Sequence, residues 1–142
     1  MANKPKQIGT AHETRFARAA DERPALRAKR AENNAPGRDV DVTLRDGSVW
    51  PHECKHRANL NVHKLAAEVA AKQPTTPPII VWKRSSRKGD NTNRTQDGPP
   101  MVAVTEEFWL DVLGVLSDVA YEAPHWMHEI TSKYPGLATE VG

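Results

Sequence analysis

The chain has 142 residues, 38% of them hydrophobic and 27% charged, which suits one domain with a modest core. No apolar run approaches the roughly 18 residues of a membrane span, and the polar stretch 1–9 has no secretory h-region. The one cysteine, Cys54, excludes an internal disulfide and points to a reducing, cytoplasmic compartment. The formal net charge of +2 hides an asymmetry. Residues 1–104 carry 19 Lys and Arg against 11 Asp and Glu, a net of +8, whereas residues 105–142 carry one Lys against seven acids, a net of −6. A basic body of this kind suits a polyanion, because neutralising phosphates releases counterions.

In chain order, residues 1–9 read as a flexible arm. Thr10 and Glu13 match the T-x-x-E capping box and predict a helix starting at Thr10, with Phe16, Ala19 and Ala20 as its apolar stripe and Pro24 beyond its end. Residues 25–31 fit either a helix or a basic strand, and 33–37 a loop. Residues 39–44 alternate strictly, with Val40, Val42 and Leu44 on one face and Asp39, Asp41 and Thr43 on the other. Asp46-Gly47 is a hairpin turn, so residues 49–55 run back as the partner strand, with a bulge or sheet edge expected at Pro51.

Asn61 predicts the N-cap of a helix to about residue 72, with Val62, Leu65, Ala66 and Val69 inward. Residues 79–82 form a short apolar strand, and the basic stretch 84–98 is a long functional or disordered loop. A strand over 101–104 precedes a helix capped by Thr105 and running to about residue 120, with Phe108, Val112, Leu113 and Leu116 inward. Residues 121–142 form an extension holding one short helix around 125–133. Trp82, Phe108 and Trp109 are expected in the core. This order of elements predicts an α/β domain over residues 10–120, with a small mixed sheet flanked by helices.

Glu53 and Lys55 lie two apart on the second hairpin strand and so share one face, as Asp39 and Asp41 do on the first. Carboxylates on rigid strands make a hard oxygen site suited to Mg²⁺ or Mn²⁺. A neighbouring lysine can stabilise negative charge on a phosphate. Such a set is a kit for hydrolysing phosphodiesters. Glu13 is equally well explained by its capping role. His52, Cys54 and His56 alternate on the opposite face, and a core cysteine edged by histidines explains them better than zinc does.

Asp41 through Glu53-Cys54-Lys55-His56-Arg57, after a helix containing Gly9, Thr10 and Glu13, resembles the P-D-(D/E)-x-K nuclease superfamily. The likeness is greatest to small phage-borne and archaeal endonucleases similar to Holliday-junction resolvases. It covers roughly residues 7–120 and includes the order of elements after the motif. It implies a restriction-endonuclease-like fold and Mg²⁺- or Mn²⁺-dependent cleavage of DNA, branched DNA included, with a homodimer making paired cuts. It implies that an aspartate and Glu53 ligate the metal, that Glu13 reaches it through water, and that Lys55 is the catalytic lysine. No proline precedes either aspartate; Arg38 and Val40 stand there. Asp41 suits the resemblance better, whereas Asp39 would face Glu53 if the hairpin had a three-residue loop with Gly47 left-handed. Lys83, Arg84, Arg87, Lys88 and Arg94 are the candidate DNA contacts, with Arg27, Lys29 and Arg30 behind them. The rival reading is a non-catalytic DNA-binding module on the same fold.

Overall fold

The structure, a computed structural model, describes residues 4–32, 35–84 and 98–138. Helix α1 spans Lys4–Asp21, followed by strands β1 (Arg27–Arg30), β2 (Val40–Thr43) and β3 (Val49–His56). Helix α2 (Val62–Lys72) leads to β4 (Ile79–Lys83) and β5 (Met101–Val104). Helix α3 (Glu106–Glu122), a short 3₁₀ turn, helix α4 (His128–Lys133) and a last 3₁₀ turn complete the chain. The fold is α/β, as expected, but the chain divides into two compact units, residues 1–104 and 105–142. The helix expected to close the nuclease-like domain therefore belongs with the C-terminal segment.

In the first unit the strands lie in the order β1-β2-β3-β4-β5. All neighbours are antiparallel except β3 and β4, which run parallel and are joined through α2. Residues 25–31, ambiguous in sequence, supply β1. Its Arg27, Lys29 and Arg30 are exposed and only Ala28 packs inward, so the sheet ends in a charged edge that resists pairing with other chains.

The two sheet faces bury separate clusters. On one, Val40, Val42, Cys54 and Val81 pack with Phe16, Ala17 and Ala20 of α1. On the other, Ile80 packs with Leu65 and Val69 of α2, edged by Trp82 and Ala103. Val81 and Ile80 are neighbours on β4 that point to opposite faces, and each is 1% exposed. That is why β4 reads as an unbroken apolar run. Asn61 caps α2 as expected, its Oδ1 accepting from the Lys64 N–H at 3.0 Å. Pro51 is buried inside β3 without disrupting the sheet: its strand partner there is Asp41 of β2, and β3 meets β4 only from Glu53 onward.

Helix α1 starts at Lys4, so Thr10 and Glu13 lie in its interior and form no capping box. This corrects both the expected helix start and the flexible arm as far as residue 4. The buried stripe is His12, Phe16 and Ala20, spaced one turn apart, and Glu13 sits on its margin. His12 is 3% exposed. Its Nε2 lies 3.1 Å from the Val81 carbonyl, and its Nδ1 lies 3.1 Å from an Arg15 guanidinium nitrogen. A carbonyl only accepts and a guanidinium only donates, so His12 is the neutral Nε2–H tautomer. Burial is the main cause holding its pKa below the usual value. His52, tilted against Phe16, is lowered for the same reason.

In the second unit Thr105 caps α3, its Oγ1 accepting from the Phe108 N–H at 3.2 Å. None of the α3 residues is buried, and Trp109 is 51% exposed rather than in the core. Leu113, expected inward, is also exposed, whereas Phe108, Val112 and Leu116 are half-buried. Among the described residues no helix is long and apolar enough to cross a membrane.

Two stability measurements follow. Ile80→Ala should cost about 2–5 kcal/mol in denaturant unfolding, because it opens a cavity on the central parallel strand. Below the unfolded-state histidine pKa of about 6.5, the unfolded chain takes up protons that buried His12 and His52 refuse. Stability should therefore be full above that pH and fall as pH drops toward the depressed native values. In His12→Gln, which keeps an N–H for Val81, thermal melts from pH 7.5 to 5 should show a shallower decline. An identical slope would remove His12 from the pH response.

Candidate active site

The hairpin turn fixes the geometry. The Leu44 N–H donates to the Ser48 carbonyl at 2.9 Å, and the Gly47 N–H to the Leu44 carbonyl at 2.9 Å. The loop is thus Arg45-Asp46-Gly47, with Gly47 at φ 87°, a left-handed position that glycine adopts without steric cost. Asp46 braces the turn by accepting from the Ser48 N–H at 2.9 Å and its hydroxyl at 2.6 Å. The resulting register pairs Thr43 with Val49 and Val40 with His52. Just before β2 the backbone of Asp39 also meets His52, so Asp39 and Val40 both lie against His52, the residue before Glu53.

Asp39 is held on both sides. Its N–H donates to the His52 carbonyl and its carbonyl accepts from the Ala31 N–H, each at 2.8 Å. Its carboxylate Oδ2 accepts from the Cys54 N–H at 2.8 Å. Lys55 reaches back along β3, placing Nζ 3.2 Å from Glu53 Oε1. Glu13 comes from α1 and accepts from Arg30 of β1 at 3.1 Å.

The electrostatics show that three acids act on one another. Burial raises the Glu53 pKa most, and the Asp39 charge adds to it, while Lys55 and Lys72 oppose both. Glu13 is raised by burial and then by Asp39, with Arg30 opposing and Glu53 adding a smaller push. The buried Cys54 thiol is pushed far up by burial, then by Asp39, Glu13 and Glu53 together. It is a buried free cysteine packed in the α1-facing core. Of the three carboxylates, Asp39 touches the Cys54 backbone directly, while Glu53 and Glu13 are held by Lys55 and Arg30.

Asp41 is not among them. Its side chain pairs with Arg38, and its position on β2 faces Pro51, two residues short of Glu53. The sequence reading favours Asp41 as the metal aspartate; in the structure Asp41 is paired with Arg38, whereas Asp39 is anchored on the Cys54 N–H. Lys83 ends β4, its carbonyl accepting from the Arg57 N–H at 3.2 Å, and Arg84 follows it exposed. Arg87, Lys88 and Arg94 lie outside the described residues. Arg38, which holds Asp41, was missed as a site residue; its signal was position, three residues before that acid, whereas Arg30, a candidate phosphate contact in the sequence, is found holding Glu13.

Among the described residues no group of three or more His, Cys, Asp or Glu side chains forms a ready metal cage. The donor set still fits Mg²⁺ or Mn²⁺, because Mg²⁺ is ordinarily held by one or two carboxylates, with waters and substrate phosphate completing its shell. Asp39 and Glu53 are two such carboxylates, and their mutual repulsion is what a cation would relieve.

Comparison with protein-family models, curated proteins and solved structures returns no match.

The grouping is testable without any ligand. Asp39→Asn keeps an oxygen for the Cys54 N–H but removes the charge, so carboxyl-carbon NMR titration should show the Glu13 and Glu53 pKa values both moving down. Asp41→Asn should leave both where they are. Equal effects from the two variants would dissolve the distinction between the aspartates.

Proposed function

We propose that the chain is a divalent-metal-dependent endonuclease of the P-D-(D/E)-x-K type, hydrolysing DNA phosphodiesters, with branched DNA as a candidate substrate. The observation that carries this reading is the placement of Asp39 on the Cys54 N–H, between Glu53 and Lys55 of the same strand, with Lys55 on Glu53. A basic first unit supports a polyanionic substrate.

In this reading Asp39 and Glu53 hold the cation, which would acidify a bound water and polarise the phosphoryl oxygen. Asp39 is fixed for the task by the Cys54 N–H, which leaves its Oδ1 available for a further partner. Glu53 projects from the strand centre, and Lys55 presents its ammonium on the same face, where it stabilises charge growing on the scissile phosphate. Glu13, raised above the ordinary carboxylate range, orients water at the margin. The basic run from Lys83 and Arg84 through Arg87, Lys88 and Arg94 supplies further phosphate contacts. The non-catalytic rival draws on one observation, that Glu53 and Glu13 are each already neutralised by a cation.

Linear, nicked and four-way-junction DNA incubated with Mg²⁺ separates the two. Wild type should cleave at least one of them, and Lys55→Ala and Glu53→Ala should each lose on the order of 10²–10³ in rate, as when a transition-state donor or metal ligand is removed. Asp39→Asn should behave like Glu53→Ala, while Asp41→Asn keeps most activity. Saturating Mn²⁺ should raise the wild-type melting temperature by mass action. DNA binding without cleavage or metal response would leave the rival in possession.

A further inference from the structure

Beside the carboxylates, at the β1 end of the sheet, lies a half-open cavity of about 250 Å³. Its charged lining is Lys29, Arg30 and Arg38 against Glu32 and Asp41. It adjoins the candidate site through two direct contacts. Ala31, in its wall, donates its N–H to the Asp39 carbonyl at 2.8 Å. Arg30, also in its wall, is the partner of Glu13 at 3.1 Å.

We propose that this cavity is a phosphate subsite for the strand cut at the neighbouring carboxylates, with Arg38 and Lys29 as its binding cations and Arg30 shared between it and Glu13. The inference rests on the nuclease reading for its substrate, a nucleic-acid phosphodiester. The volume lies just below the roughly 300 Å³ at which small-molecule pockets begin, and so suits one phosphate with part of its sugar. Two guanidiniums and an ammonium outnumber the two acids, and arginine's planar fork matches phosphate oxygens two at a time. In the free protein that fork is already in use: Arg38 points both its Nε and a terminal nitrogen at Asp41 Oδ1, and Arg30 does the same to Glu13 Oε2. Asp41 and Glu13 are thus stand-ins for phosphate oxygens. Both pairs keep contact with water, the Arg38 and Arg30 side chains being 27% and 44% exposed, so an incoming phosphate can replace the carboxylates without unfolding the wall. Asp41 acquires a role here as the resting counter-ion of Arg38.

Fluorescence anisotropy with duplex DNA in EDTA, over a salt series, reads the DNA arm. Arg38→Ala and Lys29→Ala should each weaken binding and flatten the slope of log affinity against log salt by about 0.9, one phosphate contact apiece. Asp41→Asn should tighten binding, because it removes the competing carboxylate. A second arm is independent of DNA: the Arg38 Nε–H NMR signal should shift on titration with inorganic phosphate and not with chloride at equal ionic strength. If wild type cleaves DNA while Arg38→Ala and Lys29→Ala keep its slope and the Arg38 signal stays still, the subsite is overturned and the nuclease reading stands. If the Arg38 signal responds to phosphate but the protein neither binds nor cuts DNA, the cavity binds phosphate and the nuclease reading fails. If Arg38→Ala lowers only the melting temperature, the pair is a structural clamp and the subsite is overturned.

Discussion

The three-residue turn at Arg45-Asp46-Gly47 decides the rest of the first unit. With Gly47 left-handed, the Leu44 and Ser48 backbones close on each other, and every later pair on β2 and β3 is counted from there. Strand side chains alternate, so a slip of one residue would turn Val40, Val42 and Cys54 out of the α1-facing core and bring Asp39, Asp41 and Glu53 into it. Val40, at 0% exposure, and Cys54 make that exchange prohibitive. The apolar side of the hairpin thus holds the acidic side in register, and core packing becomes placement of the candidate site.

Half-burying three carboxylates in one region of the fold is unfavourable, and each has found a local answer. Asp39 takes a backbone N–H, Glu53 takes Lys55, and Glu13 takes Arg30. None of these answers is deep: the Glu13 and Glu53 pKa values stay raised despite their cations, so burial and repulsion outweigh the pairing. A pair that leaves its acid under strain is readily exchanged for a better partner. Perturbed carboxylates of this kind mark candidate functional sites, although structural ion pairs perturb pKa values too.

Much of this was legible in the chain. Strict alternation over residues 39–44 and the Asp46-Gly47 dipeptide gave the hairpin, and period 2 gave Glu53 and Lys55 a shared face. Parity alone could not choose between Asp39 and Asp41, since both satisfy it; what separates them in the structure is their partners, the Cys54 N–H for Asp39 and Arg38 for Asp41. Glu13 was obscured by a capping pattern that the helix runs straight through, because helix formation from Lys4 leaves no end at Thr10 to cap. Residues 25–31 mix alanine and one leucine with basic residues, a composition with no clear period; pairing with β2 settled the matter through tertiary contact. Trp109 and Leu113 carry a helical apolar pattern, and pattern says which residues share a face but not whether anything covers it.

The charge segregation of the chain bears on how a polyanion would find the site. A net of +8 over residues 1–104 is large, yet at physiological salt the screening length is about 8 Å, so most of those charges act only where they stand. What matters to a phosphate at the carboxylates is the local set: Lys55 and Lys72 on the Glu53 side, Arg30, Arg38 and Lys29 on the other. Without these cations the three acids would repel the polyanion that we propose as substrate. With them, the acids sit between two groups of positive charge, and a strand held by both would pass over Asp39 and Glu53. The cations that make the acid cluster tolerable in the folded protein are the same ones that would make it approachable by DNA.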